Sequence, residues 1–195
     1  MKKNIITLTV FALVFVLLLG WYLGYEKKLK VENTDKEEKG KGLSTLKSEE
    51  ITEIEFTRMT NGPENTAEKM PAVAKFETVK LKKTGQDWAL IEPVEDSADI
   101  STVQSMVNTL SGLKQERVVE EHAKNLEPFH LTNPVLKIIT RKDASHPGDE
   151  ILVGANTPVG SSSYAKLAKS DTVYRVSKSL RNSFDKDATS LRNRS

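Results

Sequence analysis

Histidine is the side chain best suited to binding a metal or moving a proton near neutral pH. This chain has three, His122, His130 and His146, and they lie far apart in the sequence. No two of them have the H-E-x-x-H spacing that places two imidazoles on one face of a helix. The run Glu120-Glu121-His122 has donor atoms but no second histidine near it. The sequence therefore predicts no metal site and no cofactor.

The segment from Gly154 to Gly160 has a glycine at each end, as a phosphate-binding loop does. A Walker loop has four residues between its glycines and a lysine before Ser or Thr, which meets the phosphate charge. Here five residues separate the glycines, and serines follow them instead of lysine. We therefore predict a turn between strands, in which Pro158 fixes φ and Gly160 permits a positive φ.

The three serines over 161–163 would be nucleophiles only beside a base, and the motif G-x-S-x-G is absent from the sequence. Asp and Glu together number 27, so their abundance does not identify a pair for glycoside hydrolysis. The sequence names no catalytic residue, and we predict a protein that is not an enzyme. The alternative is an envelope hydrolase that uses unidentified carboxylates.

Aromatic side chains can also bind peptides or glycans. We expect Trp88 in the core or at its rim, and Tyr164 and Tyr174 in strands, where aromatic rings pack well. The turn described above is a second possible binding surface, an interaction loop. The candidate interaction residues there are Gly154, Asn156, Pro158, Gly160 and Tyr164.

The location of the protein is predicted by one apolar run, Ile5–Leu23, which has nineteen residues and no charge. A helix of that length spans roughly 28 Å, close to the hydrocarbon thickness of a bilayer. We predict a membrane anchor over 5–25, with tryptophan and tyrosine at its end in the headgroup zone. The residues expected to contact lipid are Ile5, Phe11, Leu17, Trp21 and Tyr22.

A cleaved secretory signal has a shorter apolar core, about 7–15 residues, and a small-residue cleavage site. This run is longer and no A-x-A pattern follows it, so we predict that the anchor is retained. Lysines flank the anchor on both sides in nearly equal number, so the excess of positive charge that marks the cytoplasmic side does not decide its orientation. The four-residue tail before it favours a cytoplasmic N-terminus and a C-terminal domain in the periplasm or at the cell surface.

Five segments are predicted along the chain: a tail over 1–4, the anchor over 5–25, a charged tether over 26–42, a domain over 43–185 and a polar tail over 186–195. The tether has too few apolar residues to fold alone. The net charge of the whole chain is only +2, and lysines beside the anchor contribute to it. The domain is therefore near neutral and lacks the basic surface that nucleic-acid binding requires.

Alternating apolar residues predict strands around Ile54, Val79 and Trp88, the last two joined as a hairpin by a turn over 83–86. A helix follows, with Asp96, Ser97 and Asp99 as sources of capping oxygens and Gly112 as a left-handed residue near its end. Its apolar stripe is Ile100, Val103, Met106, Val107, Leu110 and Leu113.

Further strands are predicted over 117–119, 135–139, 150–154, 164–167 and 173–176, with a loop over 156–163. Ser177 is expected to cap a short helix that carries Leu180 and Phe184. The predicted fold is α+β, a mostly antiparallel sheet with one main helix and a short C-terminal helix, after a single N-terminal transmembrane helix.

Four pieces of the sequence occur in an order that resembles a known family: Trp88 with Pro93; Asp99 before a helix with Val103, Leu110 and Leu113; Leu131-Thr132-Asn133-Pro134 before a strand; and Val153-Gly154 through Thr157-Pro158, Gly160, Tyr164-Ala165 and Val173-Tyr174 to Leu191-Arg192. Together they resemble the bacterial domain-of-unknown-function family 4340, over roughly residues 43–194. One departure is His130, which stands before Leu131 where the resemblance leads us to expect a glycine.

The resemblance implies a non-catalytic extracytoplasmic domain, often linked to ABC-transporter or gliding-auxiliary systems. We predict a membrane-anchored binding or assembly module that docks through an exposed strand edge or a loop. Its expected partners are the lipid bilayer and a membrane protein, and no nucleic acid. The sequence does not predict an oligomeric state.

Overall fold

The computed structural model describes residues 40, 42–143, 145–146, 148–158 and 161–194. The predicted anchor over 5–25, with its five lipid-facing residues, and nearly all of the tether lie outside the described residues, as does Gly160. None of the described helices combines the length and the apolar composition needed to cross a membrane.

Nine strands in the described part of the chain form one sheet, in the order β4-β3-β2-β1-β6-β7-β8-β9-β5, and every pair of neighbours is antiparallel. This confirms the predicted α+β class with a mostly antiparallel sheet. The strands are β1 Glu53–Met59, β2 Phe76–Thr84, β3 Asp87–Glu92, β4 Asp96–Ser97, β5 Arg117–Glu120, β6 Leu136–Arg141, β7 Glu150–Asn156, β8 Ser162–Leu167 and β9 Val173–Ser177.

The central strands alternate between a buried face and a polar face, as the sequence pattern predicts. On β1, Ile54 and Phe56 are fully buried. Ile54 pairs with Leu81 of β2, and Phe56 pairs with Val79 of the same strand. The polar face of these strands carries charges of both signs. Glu53 on β1, for example, forms ion pairs with Lys80 on β2 and Arg141 on β6. The hairpin of β2 and β3 is confirmed, and its turn places Gly85 at a φ of 67°.

The main helix, α1, runs over Ile100–Ser111 and begins where Asp99 accepts a hydrogen bond from the backbone N of Thr102, at 2.7 Å. The prediction for Gly112 is wrong, because its φ is −88° and the helix ends without a left-handed residue. Asp96 and Ser97 form β4 rather than a cap. The predicted apolar stripe is buried except for Ile100, which is 47% exposed in the first turn.

The second helix, α2, runs over Ser179–Phe184 and packs against α1. Ser177 ends β9 and Lys178 is the N-cap, so the predicted start of the helix is one residue early. Leu180 and Phe184 are fully buried, as expected from their spacing. Both helices share one cluster of buried apolar residues with the sheet. Three short 3-10 helices complete the described elements: Ser48–Glu50, Glu127–Phe129 and Thr189–Leu191.

The C-terminal segment over 186–194, predicted as a polar tail, is packed onto the domain. Leu191 is fully buried, although its neighbours are polar. The segment then runs along the edge of the sheet, where Arg192 forms an antiparallel bridge with Ala98. One apolar residue among polar ones leaves no periodic pattern, so the sequence did not reveal this contact.

Replacing Leu191 with alanine is expected to lower the free energy of unfolding by about 2–4 kcal/mol, because a buried leucine leaves a cavity when it is truncated. The measurement is urea unfolding of the full-length protein in a mild detergent, with circular dichroism as the signal. Arg194→Ala, three residues further along an exposed stretch, is the control and should change stability by less than about 0.5 kcal/mol. Equal effects of the two substitutions would show that the segment is not packed as described.

Candidate functional site

The predicted interaction residues do not form one loop. Gly154 and Asn156 lie in β7 and Tyr164 lies in β8, so both strands extend further than predicted and the connection shrinks to 157–161. Of the predicted residues that the structure describes, Pro158 alone lies in that connection, where it is exposed, and Gly160 lies outside the described residues. Contact of these residues with a partner stays a prediction.

Gly154 lies directly beneath the chain that leads from the second 3-10 helix. A Cβ atom built on Gly154 would lie 1.9 Å from the carbonyl oxygen of Phe129. The ring of Phe129 also packs on that of Tyr164, with centroids 5.1 Å apart. The next residue, His130, has a φ of 53°, a left-handed conformation that favours glycine. This conformation accounts for the glycine that the family resemblance leads us to expect at that position.

Asn156 holds the long connection between β1 and β2 against the sheet. Its backbone N donates to the carbonyl of Glu64, and its carbonyl accepts from the N of Thr66, both at 3.0 Å. Its side-chain Oδ1 accepts from Oγ of the fully buried Ser163 at 2.7 Å. Asn156 is therefore a structural residue that fixes a neighbouring loop.

A pocket of about 340 Å³ opens beside this region, lined by Met70, Glu127, His130, Thr132 and Asn133. The Nδ1 atom of His130 is buried and has no hydrogen-bond partner among the described residues. Burial lowers the pKa of His130, and the charge of Glu68 opposes this shift only in part. A neutral imidazole in this position can accept a hydrogen bond.

Asp143, Ser145 and His146 come together in an exposed turn and have the residue types of a catalytic triad. Both the hydroxyl of Ser145 and the carboxylate of Asp143 approach the same ring nitrogen, Nδ1 of His146, at 3.3 and 2.7 Å. In a triad the carboxylate orients one ring nitrogen while the nucleophile binds the other. The contacts instead stabilise the carboxylate, and the Ser145 hydroxyl and the His146 ring hold the pKa of Asp143 well below its usual range. Over the residues that the structure describes, no three acidic or histidine side chains are grouped as a metal site.

The two edges of the sheet differ in how they are covered. At β4, the C-terminal segment lies along the edge: the backbone N of Asn193 donates to the carbonyl of Ser97 at 2.8 Å. The N of Asp99 donates to the carbonyl of Leu191 at the same distance, and Arg192 forms an ion pair with Asp96. This edge is therefore closed by the chain itself.

The opposite edge is β5, which among the described residues pairs with one strand, β9. Its pairing shifts register at Val119, whose side chain is 38% exposed. The described chain begins immediately beside it, where the N of Gly40 donates to the carbonyl of Gln115 at 2.9 Å and Gly42 pairs with Lys114. The sequence predicted this strand, but only the sheet order shows that it lies at an edge.

The model of the family described as Domain of unknown function (DUF4340) matches residues 88–195, more than half of the chain. The chain belongs to this family. Comparison with curated proteins and with solved structures finds no match.

The DUF4340 match begins at Trp88 in β3 and continues through α1 and β5 to the C-terminal segment. It therefore includes both edges of the sheet and the His130 pocket apart from Met70. The strands β1 and β2, with the connection that Asn156 holds, precede the matched residues. The family resemblance derived from the sequence is confirmed, whereas its link to transporters stays a prediction.

Proposed function

We propose that this protein is a membrane-anchored, non-catalytic binding or assembly module outside the cytoplasm, accessory to a membrane transport or envelope complex. Its protein partner docks along β5 by adding a strand to the sheet. The observation that carries this proposal is the contrast between the two edges, since β4 is covered by the C-terminal segment and β5 has one strand neighbour among the described residues. An exposed edge offers backbone N–H and C=O groups as a template for an added strand.

The length of β5 limits the strength of such docking. In a four-residue edge strand, about four backbone N–H and C=O groups point away from the sheet and can bond to an added strand. Each such hydrogen bond contributes only about 0.5–1.5 kcal/mol net to the free energy of the contact. Even without the entropic cost of association, the sum corresponds to a dissociation constant no tighter than about the millimolar range. A partner in the same membrane would meet a tethered domain at about millimolar effective concentration, so anchoring makes a weak contact sufficient. The predicted anchor and the short edge strand therefore support the same mode of action.

The side chains of β5 also suit a specific partner. Val119 presents apolar surface at the edge, and the charged ends Arg117 and Glu120 are both exposed. Charges at the ends of an edge strand discourage unselective pairing with other strands. A partner that matches one basic and one acidic position around an apolar centre is therefore favoured over arbitrary strands.

A photo-crosslinking residue at position 119 is expected to give one discrete protein adduct in intact membranes, because the partner strand lies against this side chain. Position 94 is the control, since Val94 is also an exposed valine, at 54%, but lies in the connection after β3. The measurement is the mobility shift of the full-length protein after illumination, with the partner identified by mass spectrometry.

Val119→Lys should abolish co-isolation of the identified partner, whereas Val94→Lys should leave it unchanged. Adducts of equal yield at positions 119 and 94, or a monomer that never forms an adduct in detergent or membranes, would contradict docking at β5.

A further inference from the structure

The connection between β1 and β2 contains a surface that the proposed docking at β5 does not use. We call residues 69–76 the apolar loop; its sequence is Lys-Met-Pro-Ala-Val-Ala-Lys-Phe. Val73 is 75% exposed and Phe76 is 55% exposed, the two highest values among the exposed large apolar side chains of the described residues. Lys69 precedes both of them, Lys75 lies between them, and both lysines are also exposed. Exposed apolar side chains interspersed with lysines are typical of segments that lie in a membrane interface.

The charges around the apolar loop leave its lysines available. Glu68 accepts hydrogen bonds from the side chain of Asn65 and from the backbone N of Glu64, at 3.1 and 3.0 Å. The carboxylate of Glu64 is itself bound by Lys178 at 2.9 Å. Within the described ranges, neither loop lysine forms an ion pair. The apolar loop therefore presents positive charge beside apolar surface, which complements anionic lipid headgroups.

The backbone of the apolar loop is held in place. Asn61 bonds to it twice, donating from Nδ2 to the carbonyl of Val73 at 2.9 Å and accepting at Oδ1 from the N of Lys75 at 2.8 Å. The N of Thr60 donates to the carbonyl of Lys75 at 2.8 Å. Val73 is thus exposed on a fixed turn, so little conformational entropy is lost when it meets another surface.

The topology places the apolar loop at one particular end of the sheet. The loop leads into β2 at Phe76, which pairs with Met59 at the end of β1. Because every neighbouring pair is antiparallel, the same end of the sheet holds the start of β6, the end of β7 and the start of β5. The described chain begins beside the start of β5, at Gly40. The apolar loop and the first described residues therefore lie at the same end.

We infer that the apolar loop is a second membrane contact, in which Val73 and Phe76 enter the boundary between headgroups and acyl chains and the two lysines bind anionic headgroups. This inference rests on the proposed membrane anchoring. Two apolar side chains and two lysines bind a membrane weakly alone, but the anchor keeps the domain beside the bilayer. The contact would orient the sheet and present the β5 edge in a constant direction to a partner in the same membrane.

The sequence contains no cysteine, so one introduced cysteine gives a single labelling site on the full-length protein. Val73→Cys and Gln86→Cys are each labelled with an environment-sensitive NBD dye and reconstituted in vesicles of phosphatidylcholine and phosphatidylglycerol. Gln86 is exposed in the turn at the other end of β2, about 30 Å from the apolar loop. The dye at position 73 is expected to emit at shorter wavelength, with at least about twofold greater intensity, and to be quenched by doxyl-labelled lipid. The dye at position 86 should remain in water.

Charge is tested on the Val73→Cys background. Lys69→Glu with Lys75→Glu, or vesicles of phosphatidylcholine alone, should reduce the lipid quenching by at least about half. Equal, water-like emission at positions 73 and 86 would overturn the inference. A blue shift at position 73 that doxyl lipid does not quench would indicate burial against a second copy of the protein and would also overturn it.

Flotation of the same vesicles separates this inference from the proposed function. If the protein floats with the vesicles while the dye at position 73 stays in water, the anchoring stands and the loop contact is wrong. If the protein does not float, the anchoring is wrong and the loop contact fails with it.

Discussion

Phe184→Ala is expected to lower the free energy of unfolding by about 3–5 kcal/mol, the cost typical of truncating a buried phenylalanine. Phe184 is fully buried at the end of α2, and its ring meets that of Phe56 edge to face, with centroids 5.2 Å apart. The substitution removes this contact and opens a cavity between the helix and the central strand β1. Since α2 has only six residues, it depends on such packing rather than on its own helical stability.

The measurement is urea unfolding of the full-length protein in a mild detergent. Phe76→Ala is the matched control, because Phe76 is 55% exposed at the start of β2 and its truncation should cost less than about 1 kcal/mol. A loss of similar size for both phenylalanines would contradict the described position of α2 on the sheet.

Gly154→Ala is expected to destabilise the protein by about 2–4 kcal/mol, although it adds one methyl group. The new Cβ would lie 1.9 Å from the carbonyl oxygen of Phe129. That carbonyl belongs to the backbone, so relief requires the segment that carries Phe129 and His130 to move away from β7. The packing of Phe129 on Tyr164 should loosen as a consequence.

Gly42→Ala is the control for this prediction, because a Cβ at Gly42 would meet its nearest atom at an ordinary 3.5 Å. Its effect should remain within about 0.5 kcal/mol in the same urea experiment. If Gly154→Ala proved as harmless as Gly42→Ala, the chain over 126–131 would not cross β7 as closely as described.

The local elements were largely predictable because their signals lie within a few residues. The N-cap at Asp99, the apolar stripe of α1 apart from Ile100, and the hairpin of β2 and β3 are confirmed, since capping and periodicity depend on neighbours in the sequence. The predicted end of β7 and the predicted start of β8 are wrong, because both strands extend by two residues toward the connection. Asn156 and Ser163 are polar residues that the composition assigns to a loop, yet they hydrogen-bond to each other inside the sheet.

The candidate site was less predictable, because it depends on which strands become neighbours. A strand over 117–119 could be read from the sequence, but its place at an edge depends on the return of β9 beside it. Leu191 likewise closes the β4 edge through a contact with α1's N-cap residue, ninety-two positions earlier in the chain. Neither relation leaves a local pattern.

The sequence by itself determined the family, the class of fold and the positions of most elements, because side-chain periodicity, capping and turn residues act over short distances. It also predicts the membrane anchor, through the length of one apolar run. Only the tertiary structure decided which edge of the sheet is covered and which polar residues are buried. It also decided that Gly154 lies under a backbone carbonyl and that the apolar loop shares an end of the sheet with Gly40. These features arise from pairings between distant segments, whose order in the sheet is set by packing of the whole domain rather than by any short stretch of residues.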